Sequence, residues 1–308
     1  MNWWWNNPLG TMYGPYFLGF YATFILIVAV LARWLVRGGD PTRRLDTPAV
    51  PEAPDPYLIA HLRGGKNEVA RLALFDLLQR GILRQTSKPS FFGLSQKSYF
   101  GLVPSADIKG LSPVLRSVAK WVGRERDASR VFSDGIAGAV QDYAEAVQRK
   151  AERLSLATPP EEFATRTMVT VAACLMVIAL GAYKFAAAQM TGHKNVAFLF
   201  LFGILGLAVI LWLASPQRLT DLGRRTLKSM QTAFDGLKTK FRGDGDYDPR
   251  MVLAVGIFGI AVLQGTAHGA FYDLYRQSAG SSSGCGSSCG SGCGGGGCGG
   301  GGCGGCGG

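Results

Sequence analysis

Two long apolar runs decide the fold of this chain: 167-TMVTVAACLMVIALGAYKFAAAQM-190 and 196-VAFLFLFGILGLAVILWLA-214. Only the five residues TGHKN separate them. At about 1.5 Å per residue, each run is long enough as a helix to cross a hydrocarbon core of about 30 Å. The short polar connection therefore predicts that residues 167–190 and 196–214 form a hairpin of transmembrane helices.

A third run of the same kind lies near the N-terminus, at residues 16–36. Residues 1–15 carry no charge, and arginines follow the run from Arg33 onward. A secretory signal peptide has the opposite order of charges and a small-residue cleavage site. We therefore expect an uncleaved transmembrane helix at 16–36, with residues 1–15 as an external N-terminus whose tryptophans lie at the membrane interface.

A fourth apolar run covers residues 251–271, strongly up to Leu263 and more weakly beyond it. We interpret it as a fourth transmembrane helix. The predicted fold class is thus a mainly α membrane protein with about four transmembrane helices and a small α+β cytoplasmic domain. The composition agrees, since 47% of the residues are hydrophobic and only 17% are charged.

The distribution of lysine and arginine predicts the orientation. Residues 37–166 and 215–250, together with Arg33, hold 29 of the 32 Lys and Arg residues. Because basic residues are retained on the cytoplasmic side, both segments are predicted to be cytoplasmic. With four spans, the N-terminus and the C-terminal tail then lie outside. The net charge of +11 follows from this topology and needs no nucleic-acid partner.

The first cytoplasmic segment is predicted to begin with a proline-rich linker at 37–56, followed by a folded domain at 57–155. In that domain an amphipathic helix ends at Arg80-Gly81 in a C-cap arrangement, and short strands follow. This order of helices and hairpin is typical of a winged-helix-like domain.

One stretch of this domain, 55-DPYLIAHLRGGKNEVARLALFDLLQRGIL-83, resembles the central region of a family of uncharacterised bacterial multi-pass membrane proteins. Members of that family have an N-terminal span before this region and a Gly/Cys-rich tail at the end of the chain. The resemblance implies a multi-pass protein of the bacterial plasma (inner) membrane. It implies no activity and no catalytic residues.

The second cytoplasmic segment, 215–250, is predicted to form a basic amphipathic helix. Apolar residues step by three and four along it, and basic residues fill other positions. The positions on this face are Leu219, Leu222, Thr226, Met230, Ala233, Phe234, Leu237 and Phe241. We expect this helix to lie against anionic lipid of the inner leaflet or against the central domain, with a separate protein partner as the alternative.

The tail, residues 280–308, contains only Gly, Ser and Cys, and such a composition predicts disorder. Its thiols are the candidate metal ligands, and soft thiolates suit copper or zinc. They are Cys285, Cys289, Cys293, Cys298, Cys303 and Cys306. Disulfides, covalent attachment to another envelope component and no specific chemistry remain as alternatives. His268, with Gln264 one helical turn before it, is a further candidate ligand, weighed against simple helix packing.

No known catalytic motif is present: there is no HExxH, no G-x-S-x-G, and Gly64-Gly65-Lys66 lacks P-loop spacing. The sequence therefore predicts a non-enzymatic membrane protein, an envelope-associated interaction or scaffold protein that presents a thiol-rich tail outside. Two alternatives stay open. One is metal sequestration by the tail, and the other is a membrane-tethered DNA-binding regulator that uses basic residues of the central domain. Those residues are Lys66, Arg71, Arg80, Arg84, Lys88 and Lys97.

Overall fold

The protein is described by a computed structural model for residues 13–38, 40–89, 96–123, 125–133, 135–190, 197–239 and 247–281. Most of these residues are helical. The α-helices are α1 (Gly14–Gly38), α2 (Pro56–Gly64), α3 (Lys66–Gln79), α4 (Pro113–Val122), α5 (Ala128–Ser133), α6 (Ile136–Ala139), α7 (Gln141–Arg153), α8 (Pro160–Met190), α9 (Ala197–Leu213), α10 (Asp221–Ala233), α11 (Pro249–Phe258) and α12 (Gly269–Ser281). The strands are β1 (Leu83–Pro89), β2 (Gln96–Leu102) and β3 (Arg126–Asp127), which form one antiparallel sheet in that order.

The prediction of a mainly α chain with a small α+β part is confirmed. The chain divides into two compact units. The first unit consists of Met1–Leu62 and Asp142–Lys240, and the second of Arg63–Gln141 and Phe241–Gly308. Each unit is therefore built from two separate stretches of sequence.

In the first unit, helices α1, α8 and α9 pack side by side around one apolar core. Their opposite faces are also apolar and remain exposed, as at Trp212 (81%), Met168 (73%) and Ile204 (67%). Helices that are apolar all round occur in membranes or in the cores of large proteins. By length and composition, Gly14–Gly38 and Pro160–Gln189 are each able to cross a membrane, while α9 is shorter at 17 residues.

Small residues let these three helices approach closely. The hydroxyl of Tyr21 on α1 donates a hydrogen bond to the carbonyl oxygen of Val177 on α8, at 3.1 Å. A Cβ at Gly181 would lie 3.0 Å from that hydroxyl oxygen, and one at Gly206 would lie 2.7 Å from Cδ1 of Ile25. Glycine at a helix contact is a common device for close packing between membrane helices.

The remainder of the first unit joins α2, α7 and α10 through a second apolar cluster. Its buried residues are Leu62, Ala151, Leu156, Ala157 and Leu222. Backbone bonds reinforce the cluster, because Ala157 pairs with Leu219 in an antiparallel bridge and the N–H of Thr220 donates to the carbonyl of Leu156 at 3.2 Å. The segment that precedes α10 is thus attached to the chain that follows α7.

The second unit is built on α3, whose buried side chains include Val69, Leu72 and Leu77. The helix ends as predicted at Arg80-Gly81: Gly81 has φ +68°, and the N–H of Ile82 donates to the carbonyl of Leu77 at 3.0 Å. The hairpin of β1 and β2 follows, with Leu83 opposite Leu102 and Pro89 opposite Gln96. The expected helix-then-hairpin order is therefore present in this unit.

The fourth transmembrane helix predicted for residues 251–271 is not a continuous helix in the structure. Helix α11 ends after ten residues, about 15 Å, at Gly259, whose φ of +93° does not continue a helix. A 3₁₀ turn (Ile260–Leu263) follows, and residues 264–268 then form a non-helical connection to α12. This segment therefore lacks the length of a straight span.

The apolar residues of this segment are buried by protein. Helix α11 packs against α3, and six of its ten residues are buried. Phe271 in α12 is fully buried, with its ring centroid 5.8 Å from that of Phe75, 5.9 Å from that of Phe100 and 5.6 Å from that of Phe132. The hydropathy that suggested a membrane span thus serves the core of the second unit.

Candidate anion-binding site

The N-terminus of α10 is fixed by a short segment that follows α1. Carboxylate oxygen Oδ2 of Asp40 accepts a hydrogen bond from the N–H of Asp221 at 2.7 Å. The N–H of Leu222 donates to the hydroxyl of Thr42 at 3.2 Å, and that hydroxyl donates to Oδ1 of Asp40 at 2.7 Å. These contacts satisfy N–H groups that every helix leaves free in its first turn. We call Asp40 and Thr42 the clamp.

The clamp depends on an ionised carboxylate. Burial alone would raise the pKa of Asp40, but hydrogen bonds from the Thr42 hydroxyl and from the backbone N–H groups of Asp221 and Thr42 hold that pKa below its ordinary value. The charge of Arg166 acts in the same direction. Asp40 therefore holds the N-terminus of α10 as an anion at neutral pH.

The other side of α10 lies in tight contact with the chain after α7. The hydroxyl of Thr220, the N-cap residue, donates to the carbonyl of Ser155 at 2.6 Å and accepts from the N–H of Gly223 at 3.0 Å. A Cβ at Gly223 would lie 2.0 Å from the carbonyl oxygen of Leu156, closer than real Cβ atoms come. Only glycine fits this position, so the orientation of α10 is closely defined.

This arrangement places the first turns of α10 beside the last turn of α1 and creates a cavity of about 780 Å³ between them. Cationic side chains dominate its wall, with Asp221 as the single carboxylate among the described lining residues. The cations are Arg33, Arg37, Arg43, Arg224, Arg225 and Lys228, and the remaining lining residues are Val30, Trp34 and Gly38. We call this the basic cavity.

Among the described residues, only one of these six cations forms an ion pair. Arg224 forms an ion pair with Asp221, and Arg225 donates to the carbonyl of Thr42 at 3.0 Å. The guanidinium Nε of Arg37 is buried and has no hydrogen-bond partner among the described residues. The basic cavity therefore has the electrostatics of an anion site.

Of the two helices that form this site, the sequence assigned a basic surface only to α10. It identified the basic amphipathic helix, and Leu222, Thr226 and Met230 do form the buried face of α10. The helix itself is shorter than predicted, ending at Ala233. The pairing of α10 with the end of α1 was missed, although Arg33 and Arg37 are one helical turn apart and so share a face, which was a usable signal.

The predicted metal ligands are not brought together in the described part of the chain. The six tail cysteines lie outside the described residues. His268 packs its ring edge-on against Phe75, at 5.4 Å between centroids, and its buried Nε2 has no hydrogen-bond partner among the described residues. Within residues 13–281 as described, no group of three or more His, Cys, Asp or Glu side chains could hold a metal ion. His268 itself lies in the turn before α12, and its role as a ligand or as a packing residue stays a prediction.

Several basic residues considered for DNA binding have other partners. Arg71 forms an ion pair with Glu68 and lies over the ring of Tyr275, while Nε of Arg80 lies 2.7 Å from a carboxylate oxygen of Asp76. Nζ of Lys88 lies 2.6 Å from a carboxylate oxygen of Glu125. Charges held in this way are less available to phosphates of a duplex. The basic cavity is a stronger candidate for an anion than this surface.

Comparison of the chain with protein-family models, with curated proteins and with solved structures gives no match. The resemblance to a family of bacterial multi-pass membrane proteins therefore stays a prediction, and function has to be argued from the site itself.

Proposed function

We propose that this chain is a non-enzymatic interaction or scaffold protein of the bacterial inner membrane, anchored by three helices rather than four. The observation that carries the proposal is the bundle of α1, α8 and α9, whose core is apolar and whose outer faces expose large apolar side chains. In water such faces would be a severe aggregation liability, whereas in lipid they are solvated.

The proposed topology differs from the one expected from sequence. With an external N-terminus and spans at α1, α8 and α9, all residues that follow α9 lie on the cytoplasmic side. The packing of Phe271 with Phe75 and Phe100 supports this arrangement, because residues that share a core must lie on the same side of the membrane. The C-terminal tail is then cytoplasmic.

The charge distribution also favours three spans. Of the 32 Lys and Arg residues, all but Lys184 and Lys194 then lie in cytoplasmic segments or at the cytoplasmic end of a span. Arg276, which a fourth span would place outside, moves to the cytoplasmic side. In the reducing cytoplasm the tail thiols are expected to remain reduced, which disfavours disulfides and keeps copper or zinc binding as an alternative role.

Labelling of intact cells with a membrane-impermeant maleimide tests the topology. The tail cysteines of the wild-type chain should react only after lysis. As a control, a Tyr13→Cys variant whose tail cysteines are all serine should react in intact cells, because Tyr13 precedes α1. Reaction of the wild-type tail in intact cells would contradict the three-span topology and restore a fourth crossing.

Membrane integration is tested separately by extraction at alkaline pH. The three-span anchor should keep the protein in the membrane pellet after carbonate washing, whereas a peripheral protein would be released.

The interaction role is tested by cross-linking the full chain in cells. If no other protein is cross-linked to the chain, the scaffold role is contradicted.

A further inference from the structure

We propose that the basic cavity binds the phosphate group of an anionic phospholipid, whose acyl chains lie along the exposed apolar face of α1. This inference rests on the membrane placement proposed above. The site would hold a specific lipid at the inner leaflet, in addition to the general attraction between cations and anionic lipid.

The charge of the cavity selects an anion. Among the described lining residues there are six cationic side chains and one carboxylate, Asp221, which is already paired with Arg224. Arg33 and Arg37 lie one helical turn apart on α1 and both line the cavity, so that they can donate together to one phosphate group. Arginine donors match phosphate geometry well because the guanidinium group can present two parallel N–H groups.

The apolar wall of the cavity selects a lipid over a free phosphate. Val30 and Trp34 line it, are one helical turn apart and are 51% and 68% exposed. Exposed Leu26 and Ile27 continue the same helix toward the middle of the proposed span. An acyl chain gains from covering this surface, and inorganic phosphate gains nothing from it. Tryptophan beside arginine is also typical of the membrane interface.

The cavity is organised before any ligand binds. Asp40 and Thr42 hold the N-terminus of α10, and Gly223 fixes its distance from the carbonyl of Leu156. The cationic side chains of α10 therefore already lie opposite those of α1 when no ligand is bound. Pre-organisation lowers the entropy lost on binding, which favours a specific site over a diffuse charged surface.

Lipid titration of the purified full chain in a nonionic detergent tests the proposal. The probes are dioctanoylphosphatidylglycerol, which is anionic, dioctanoylphosphatidylcholine, which has the same phosphodiester without net charge, and inorganic phosphate. We expect saturable binding of phosphatidylglycerol, weaker binding of phosphatidylcholine, and no displacement of the bound lipid by phosphate at equal concentration.

Neutralising the cationic side chains of the cavity should strongly weaken the binding of the anionic lipid. For the triple variant R33Q/R37Q/K228Q we expect a Kd at least tenfold higher, and on the order of 100-fold higher if each cation contributes as a juxtamembrane charge does. The matched control is R44Q/R149Q/R153Q, which removes three exposed charges of the same unit outside the cavity and should change Kd less than about threefold. If the triple variant fails to fold, R33Q and K228Q are measured separately.

A second variant separates lipid from phosphate. Trp34→Ala should raise the Kd for phosphatidylglycerol several-fold, by roughly the loss of one aromatic contact, and leave phosphate unchanged. The proposal is overturned if both triple variants lose affinity equally, if phosphatidylcholine binds as well as phosphatidylglycerol, or if phosphate displaces the lipid. Carbonate extraction and maleimide labelling do not depend on the cavity, so failure of this inference is distinguishable from failure of the membrane topology.

Discussion

Replacing Gly223 by alanine is the sharpest single test of how α10 is positioned. The added Cβ would lie 2.0 Å from the carbonyl oxygen of Leu156, so the helix or that carbonyl must move by about 1 Å. Both are backbone, and no side-chain rotation relieves the contact. The movement would break two hydrogen bonds, from the Thr220 N–H to the carbonyl of Leu156 (3.2 Å) and from the Thr220 hydroxyl to the carbonyl of Ser155 (2.6 Å).

The magnitude follows from opposing effects. Loss of two hydrogen bonds costs about 1 kcal/mol each. Overpacking adds about 1–3 kcal/mol. Alanine is the better helix former by about 1 kcal/mol. The free energy of unfolding should therefore fall by about 2–4 kcal/mol, which for a unit of this size lowers Tm by at least about 4 °C.

The assay is thermal unfolding of the purified chain in detergent, followed by intrinsic tryptophan fluorescence. Gly236→Ala is the matched control, since no atom of the described residues lies within 4 Å of a Cβ at Gly236. It should change stability by less than about 0.5 kcal/mol. If Gly223→Ala unfolds at the wild-type temperature, or no earlier than Gly236→Ala, then α10 does not pack against residue 156 as described and the basic cavity loses its support.

Three further predictions follow from other contacts. Asp40→Asn should destabilise the attachment of α10 by about 1 kcal/mol at neutral pH. Because folding lowers the pKa of Asp40, the carboxylate stabilises the wild-type protein fully above the unfolded-state pKa, and this stabilisation is lost as the pH falls through the folded-state pKa. The Tm values of the two proteins should therefore converge in acid. Phe271→Ala should lower stability by about 3–5 kcal/mol, measured by unfolding or by proteolysis of the second unit, since this ring fills the core beside Phe75, Phe100 and Phe132; a side chain facing lipid would show a far smaller effect. Gly206→Ala should destabilise the three-helix bundle by about 1–3 kcal/mol, because the added Cβ would contact Ile25. The second substitution Ile25→Val should recover part of this loss. If the two changes in the free energy of unfolding are simply additive in thermal unfolding, the contact is contradicted.

Local sequence pattern predicted the helices well because their signals are local. The hairpin predicted at 167–190 and 196–214 corresponds to α8 and α9, and α1 covers the predicted run at 16–36. Helix α8 begins earlier, at Pro160, where proline suits the first helical position and Glu161 and Glu162 favour a helix N-terminus. The C-cap at Gly81 was equally readable, since few residues other than glycine adopt that backbone conformation.

Hydropathy could not distinguish burial in lipid from burial in protein. Residues 251–271 are as apolar as a span, yet the partners of Phe271 are more than one hundred residues away in sequence. The same limit applies to the basic cavity: Arg37 and Arg224 are brought together only by tertiary structure, through the bond between Asp40 and Asp221. Candidate sites of this kind depend on contacts that no local pattern encodes.

The division of the second unit into two stretches of sequence has a consequence for biosynthesis. Residues 63–141 leave the ribosome long before α12, and at about 5–20 residues per second the wait until residue 281 lasts on the order of 10 s. Throughout that interval the aromatic surface around Phe75 and Phe100 lacks its final partner. Nascent chains truncated before residue 249 should therefore recruit cytosolic chaperones that the completed chain no longer needs.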